Sequence, residues 1–192
     1  MRARTQGSVV VTSGTGIKKA VKEQPVKYRR LLPFKGKYPL PVFYDPLEDE
    51  INTAYSNPDL PNAVLLLSRK LIENLVYNLL ENRFSGLQTD LYYNTRQMRA
   101  HDFSVLLDNL RKHRSDFAPD QQESIAQFLK IMDETKFRRE ANSATHKVME
   151  YLDSMREIQK FKIPHMVQIL LHLIERVREP KGLTLHNGTE LF

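Results

Sequence analysis

The chain has no cysteine and no tryptophan among its 192 residues. Without cysteine, neither a disulfide nor a thiolate-bound metal centre can form, and this absence suits a reducing, cytoplasmic compartment. Long apolar runs are missing too, because no stretch approaches the ~18 apolar residues needed to span a bilayer. The start, MRARTQGSVVVTSGTG, does not fit a signal peptide. We therefore expect a cytoplasmic protein that has no membrane partner.

The sequence also lacks the motifs of common cofactor and metal sites. It contains no glycine-rich phosphate loop, no Gly-x-Ser-x-Gly motif and no zinc-finger spacing. His165 and His172 share a helical segment, but neither has a partner at a metal-ligand spacing such as His-Glu-x-x-His. The sequence therefore predicts neither a metal nor a cofactor.

Positive charge is what the chain has in excess. Its 29 lysines and arginines against 23 acidic residues give a net charge of +6 and a pI near 9.5. A basic surface favours an anionic partner, of which nucleic acid is the commonest. A mildly basic protein without such a partner has the same composition, so charge alone leaves both interpretations open.

Composition divides the chain into three regions. Residues 1–58 are predicted to form a basic N-terminal arm and a proline-rich strap, with a short helix near 46–56. Residues 59–180 are predicted to form a helical domain, and residues 181–192 a loose tail. The arm can contact nucleic acid or a partner protein, although most such tails are merely solvated. The strap offers apolar side chains to the domain: Leu31, Leu32, Phe34, Leu40, Val42, Phe43 and Tyr44.

Apolar residues at helical spacing dominate the predicted domain. Asp102 is a candidate N-cap, and Pro119 stands where a helix would start. The fold class is therefore all-α, a bundle of four or five helices behind an extended, irregular N-terminal arm. The predicted helices cover 62–83, 103–113, 120–134, 136–160 and 164–178.

Residues 84–101 lack regular spacing and are predicted to be a loop, with at most a short turn of helix. Interleaved aromatic and cationic side chains can offer a stacking surface for bases, but a packed surface loop is the commoner explanation. The side chains concerned are Tyr92, Tyr93, Arg96, Arg99 and His101.

The segment Arg138–His146, RREANSATH, is the candidate functional site. On a continuous helix, Arg139, Asn142 and His146 lie at i, i+3 and i+7 and share one face. Histidine can move a proton near neutral pH, and arginine can hold a charged phosphate. His146 lies roughly opposite the predicted apolar stripe of the 136–160 helix, which runs through Phe137, Ala141, Ala144, Val148, Leu152, Met155 and Ile158.

Two segments together resemble the HEPN superfamily, especially its bacterial branch of uncharacterised domains found in restriction and phage-defence proteins. The first, PNAVLLLSRKLIENLVYNLLE at 61–81, is similar to the opening helix of that branch. The second, FRREANSATH at 137–146, is similar to its Arg…Gly-Asn-x-Ala-x-His stretch and to the wider Arg, four to six residues, His signature. Arg139 with His146 satisfies the wider spacing, whereas Arg138 fits the branch alignment better.

The resemblance implies a metal-independent endoribonuclease, in a defence or toxin context. RNA carries its own nucleophile, the 2′-OH, so the product would be a 2′,3′-cyclic phosphate. The resemblance assigns proton transfer to His146. Arg138 or Arg139 would stabilise the phosphoryl charge, and Asn142 would orient phosphate or imidazole. Members of the superfamily often place two such motifs across a dimer cleft, so the resemblance also implies a homodimer.

The alternative is the same fold without chemistry. A non-catalytic HEPN-like module would serve dimerisation, or would bind nucleic acid, nucleotide or a partner protein. Arg139, Asn142 and His146 would then be helix-packing or surface hydrogen-bonding groups. A third interpretation is an assembly protein whose 1–58 segment reaches a neighbouring subunit.

Overall fold

The chain is mainly helical, which confirms the predicted all-α class. The computed structural model describes the backbone of residues 30–38, 44–86, 88–146, 152 and 154–178, and the side chains of all these except 144–146. Short 3-10 turns lie at Thr89–Leu91 and Arg114–Asp116. The other elements are α1 (Tyr44–Tyr55), α2 (Pro61–Phe84), β1 (Tyr93–Asn94), β2 (Arg99–Ala100), α3 (Phe103–Lys112), α4 (Pro119–Glu134), α5 (Phe137–His146), α6 (Met155–Lys160) and α7 (Ile163–Arg178).

The 24-residue helix α2 is the central element. It begins at Pro61, where the missing proline N–H costs nothing because the first N–H groups of a helix have no partner within the helix. α1, α3, α5, α6 and α7 all pack on it. Apolar residues on nearly every side of a helix mark it as a core helix. Its fully buried apolar side chains are Val64, Ile72, Leu75, Val76, Leu79 and Leu80.

The last helix, α7, is fixed to α2 by packing and by a polar contact at its end. Its apolar face is buried, with Ile163, Met166 and Leu170 fully excluded from solvent. At its C-terminal end Arg178 donates to the side-chain oxygens of Asn82 and Asn78, each over 3.1 Å. The helix is therefore fixed along its length.

No helix within the described ranges has the length and apolar character to cross a membrane.

Four of the predicted helices are confirmed to within two residues at each end: α2, α3, α4 and α7. The predicted helix near 46–56 is also present, beginning two residues earlier as α1. Residues 84–101 do contain a short helical turn, but they also form an antiparallel hairpin in which Tyr93 pairs with Ala100. Strands of two residues are too short to show an alternating pattern, so the sequence did not predict them.

The predicted continuous helix over 136–160 is wrong. α5 is described as far as His146, but Leu152 and Ser154 are not helical, and Ser154 has extended dihedrals of −157° and 157°. The backbone N–H of Leu152 donates to the Asn62 side-chain oxygen over 3.2 Å, a contact with the start of α2. This N–H therefore cannot donate to a helical carbonyl four residues earlier. Neither Gly nor Pro marks this contact in the sequence.

The predicted apolar stripe survives this break as a set of core residues on two helices. Phe137 and Ala141 are fully buried on α5, whereas Met155 and Ile158 are buried on α6. Leu152 is partly buried against the core, and Val148 lies outside the described residues. Apolar spacing thus predicted the burial of Phe137, Ala141, Met155 and Ile158 correctly, but not the division of the stripe between two helices. The side chain of Ala144, like Val148, lies outside the described residues.

The strap is held by two side chains one turn apart on α1. Asn52 accepts from the Leu32 N–H over 2.9 Å and donates to the Leu32 carbonyl over 2.8 Å. One Glu48 oxygen, Oε1, accepts from the N–H groups of Phe34 and Lys35 over 2.9 and 3.0 Å. These side chains therefore replace the strand partner that an extended backbone would otherwise need.

Leu31 and Leu32 are buried in the core, as the sequence predicts for the strap. Leu40, Val42 and Phe43 lie outside the described residues, as do residues 1–29 and 181–192. The division at residues 58 and 59 stays a prediction, although α1, on the arm side of it, packs on α2.

Burial raises the pKa of the Glu48 carboxyl above its ordinary 4.5, and its two backbone donors lower it only in part. In the window between 4.5 and the raised value, the folded chain holds the proton while the unfolded chain has lost it. The free energy of unfolding therefore falls as pH rises through this window, because the ionised carboxylate is poorly solvated in the fold.

We predict that Glu48→Gln folds at least as stably as the parent at pH 7. Its amide oxygen can accept both N–H groups, and it carries no charge to desolvate. Glu48→Ala should lose about 2 kcal/mol, because two partly buried N–H groups lose their acceptor. Urea denaturation at pH 4.5 and pH 7 measures both effects, and the exposed Glu50→Gln on the same helix is the control. If the glutamine variant is as unstable as the alanine variant, the charge itself is required.

Candidate functional site

α5 carries all four predicted site residues, and its rotation is set by what it buries. Of its described side chains, Phe137 and Ala141 are the buried ones, and Phe137 stacks edge-on against Phe161 at 5.8 Å. Arg138 and Arg139 are exposed as a consequence, and Asn142 is half-buried. α5 starts after Lys136, whose positive φ of 54° redirects the chain at the end of α4.

α5 is helical without interruption from Phe137 to His146, which confirms the backbone condition for a shared face. At about 100° per residue, the backbone position of His146 lies about 180° around the helix from Phe137 and within about 20° of Arg139. The same geometry separates Arg138 from His146 by about 80°. The His146 imidazole lies outside the described side chains.

The two arginines differ in what they contact. Arg139 pairs with the neighbouring Glu140, with 3.0 Å between Nη2 and Oε1, and 69% of the arginine side chain is exposed. Exposed ion pairs of this kind contribute about 0–1 kcal/mol, so an incoming anion can displace the carboxylate. Arg138 forms no hydrogen bond or ion pair with any residue in the described ranges. The Arg138 guanidinium group is therefore available to a ligand, and that of Arg139 becomes available when an anion displaces Glu140.

Asn142 carries an unsatisfied acceptor. Its Oδ1 is buried and receives no hydrogen bond within the described part of the chain. The only other buried side-chain atoms in this condition among the described residues are Ser68 Oγ and Arg69 Nε. Both lie on α2, which packs on α5. A buried atom of this kind costs about 1–3 kcal/mol relative to a paired one. Within the described part of the chain, the α2–α5 pair is therefore where buried side-chain polar atoms lack a hydrogen-bond partner.

Arg69 also contacts Glu73 one turn along α2, with 3.8 Å between Nη2 and Oε2. Burial raises the pKa of the Glu73 carboxyl; Arg69 and the backbone N–H of Phe103 oppose the shift. Glu73 therefore faces the start of α3. The predicted N-cap, Asp102, occupies the cap position without a side-chain cap bond, because its carboxylate pairs with Arg99 over 2.8 Å.

The aromatic side chains of the 84–101 segment face the protein interior. Tyr92 is buried and meets Tyr77 edge-on at 5.5 Å, and Tyr93 packs partly on the core. His101 Nε2 lies 2.8 Å from the carbonyl oxygen of Asp90. The segment is therefore a packed surface loop, and these tyrosines are not free to stack on bases.

His165 and His172 line a groove of about 270 Å³ between α4 and α7. Asp120 and Arg176 lie at the same groove and pair over 2.6 Å. Within the described ranges no group of three or more His, Asp or Glu side chains is placed to hold a metal ion. These histidines lie on a different helix from Arg139, so they serve as comparison residues for His146.

No protein-family model, curated protein or solved structure matches the chain.

The unsatisfied atoms on α2 and α5 lead to a stability prediction. Replacing Asn142 by leucine should raise the free energy of unfolding by about 1 kcal/mol, because a buried acceptor without a partner is removed. Ser68→Ala should be neutral or slightly stabilising for the same reason. Thermal or urea unfolding of each variant measures the change.

The matched control is Asn109→Leu. Asn109 is also a helical asparagine, but its amide donates to the Leu91 carbonyl over 2.7 Å, so this change should destabilise the protein by about 1 kcal/mol. Equal destabilisation by Asn142→Leu and Asn109→Leu would show that Asn142 is satisfied in solution.

Proposed function

We propose that the chain is a metal-independent, HEPN-type endoribonuclease whose active face is the Arg139, Asn142 and His146 side of α5. The observation that supports it most is the uninterrupted helix from Phe137 to His146, with Phe137 and Ala141 as its buried side. The backbone positions of Arg139 and His146 then lie on the side of the helix away from this core contact, and the half-buried Asn142 lies at the flank. A defence or toxin role in the cytoplasm belongs to the same proposal.

The chemistry needs little from the protein because RNA supplies the nucleophile. The 2′-oxygen forms a bond to phosphorus, and the bond from phosphorus to the 5′-oxygen breaks, leaving a 2′,3′-cyclic phosphate and a 5′-hydroxyl. One proton leaves the 2′-OH and one joins the 5′-oxygen. His146 performs one of these transfers, and the His146 of a second copy performs the other, which is why a homodimer is part of the proposal.

Arg139 is the better candidate for binding the scissile phosphate. It lies within about 20° of His146 around the helix, whereas Arg138 lies about 80° away. Glu140 Oε1 accepts from both Nε and Nη2 of Arg139. A phosphate that displaces it can accept these two N–H groups on two separate oxygens, in the parallel geometry that a guanidinium group favours. Arg138 would then hold a neighbouring phosphate, and Asn142 would offer its unpaired oxygen to an imidazole or hydroxyl donor.

A non-catalytic HEPN-like binding module is the second candidate, and one observation favours it. Glu140 directly follows Arg139 and already occupies its guanidinium group. A carboxylate beside the active face repels the phosphate that a nuclease must bind. In this alternative Arg139 and Glu140 form a surface ion pair, and the domain binds nucleic acid, a nucleotide or a partner protein without cleaving it.

RNA cleavage in the presence of EDTA separates the two candidates. The wild-type chain should cut single-stranded RNA, and His146→Ala should lower the rate at least 100-fold, in line with the usual contribution of about 10²–10⁴ from general acid–base catalysis. His172→Ala is the matched control, because it removes an exposed helical histidine far along the chain from α5. Cleavage that is equally fast in His146→Ala, or absent from the wild type, would refute the nuclease.

A further inference from the structure

An open cleft of about 510 Å³ lies beside α5, where the α4–α5 junction meets the α6–α7 junction. Sequence reasoning did not predict it, because the break after α5 that brings these two junctions together was not predicted. Its lining is strongly charged: three lysines and three glutamates accompany Thr135, Leu152 and Phe161. The charged residues are Lys136, Lys160, Lys162, Glu134, Glu140 and Glu157.

Two of these lysines have a left-handed backbone. Lys136 has φ 54° and Lys162 has φ 52°, and each directly follows the capping residue at the end of a helix. Glycine is favoured at this position, because a Cβ there is crowded against the backbone. Lysine at either position is therefore strained. At both strained positions the residue is a lysine whose side chain lines the same cleft. The backbone conformation alone would favour glycine, so it does not explain why lysine stands at both positions.

The acidic side chains of the cleft already have cationic partners. Glu134 contacts Lys130 over 3.8 Å, Glu140 contacts Arg139 over 3.0 Å, and Glu157 contacts Lys160 over 3.2 Å. By contrast, neither Lys136 nor Lys162 forms an ion pair with any residue in the described part of the chain. Two ammonium groups therefore remain for an anionic ligand.

We propose that this cleft binds the phosphodiester backbone of a single RNA strand, with Lys136 and Lys162 each contacting a phosphate. The anion site follows from the cleft itself, whereas the choice of RNA as the anion rests on the proposed function. Glu140 both lines the cleft and contacts Arg139, so a strand held here continues directly onto the active face of α5. The cleft thus extends substrate binding beyond the scissile phosphate.

A binding assay with an RNA that cannot be cut tests the cleft alone. The probe is a fluorescent 12-mer of 2′-O-methyl RNA, titrated with the full chain and followed by anisotropy at several salt concentrations. The variant Lys136→Gly/Lys162→Gly should bind at least tenfold more weakly at low salt. The slope of the logarithm of its RNA-binding constant against the logarithm of salt concentration should be about 1.4 shallower than that of the wild-type chain. Each lost phosphate contact removes about 0.7 from this slope. Its Tm should stay equal or rise, because glycine relieves the strain.

Met98→Gly is the matched control. Met98 also has a left-handed φ, 52°, but it lies exposed near the hairpin and carries no charge. This variant should gain Tm and bind RNA like the wild type. If glycine at both lysine positions prevents folding, Lys136→Asn/Lys162→Asn serves instead, because asparagine also tolerates this conformation.

Three results would overturn the cleft: unchanged affinity in the double variant, an equal loss in Met98→Gly, or displacement of the probe by polyglutamate at the same charge concentration. The nuclease and the cleft can fail separately. If RNA binding depends on the two lysines but RNA cleavage is unchanged by His146→Ala, the RNA-binding cleft is supported and the proposed nuclease activity is refuted. If cleavage depends on His146 but binding does not depend on the two lysines, the nuclease activity is supported and the RNA-binding cleft is refuted.

Discussion

Burial of α2 on nearly every side is the constraint on which the other elements depend. α1, α3, α5, α6 and α7 each cover part of its surface, and α4 packs mainly on α7 and α5. Short helices on such a scaffold are oriented by a few contacts. For α5, the burial of Phe137 and Ala141 sets which residues face outward, so the candidate site depends on two apolar side chains that take no part in its chemistry.

The same helix pair shows where the fold departs from its own optimum. Ser68 and Arg69 on α2 and Asn142 on α5 hold buried polar atoms that lack partners within the described ranges. The other buried side-chain N and O atoms of the described residues have partners. Half-buried Asn52 is an example of a well-paired polar group, because it both accepts from and donates to the Leu32 backbone. Functional sites often keep polar groups that lower the stability of the protein without its ligand. The three unpaired atoms lie in the two segments that resemble HEPN sequences.

The sequence predicted what depends on local apolar spacing and missed what depends on contacts between distant segments. Helices α2, α3, α4 and α7 have apolar stripes long enough to fix their limits. Neither Gly nor Pro marks the break between α5 and α6 in the sequence. The contact seen there is the hydrogen bond from the Leu152 N–H to the Asn62 side chain, which joins two segments distant in the chain. The left-handed backbone at Lys136 and Lys162 was not predicted either, because glycine, the usual signal for this conformation, is absent from both positions. The helical register of Arg139, Asn142 and His146 was predictable, because it needs only a continuous helix.

The central claim is that α5 positions an RNA phosphate for attack by the neighbouring 2′-OH of the strand. The most direct measurement uses an RNA oligonucleotide with one mapped cleavage site, in which the nucleotide on the 5′ side of that site is replaced by its 2′-deoxy form. We expect cleavage at that site to stop while binding of the strand is unchanged, because only the nucleophile has been removed. Cleavage of the deoxy-substituted strand at the same bond would contradict the account, because water or a protein group would then be the nucleophile.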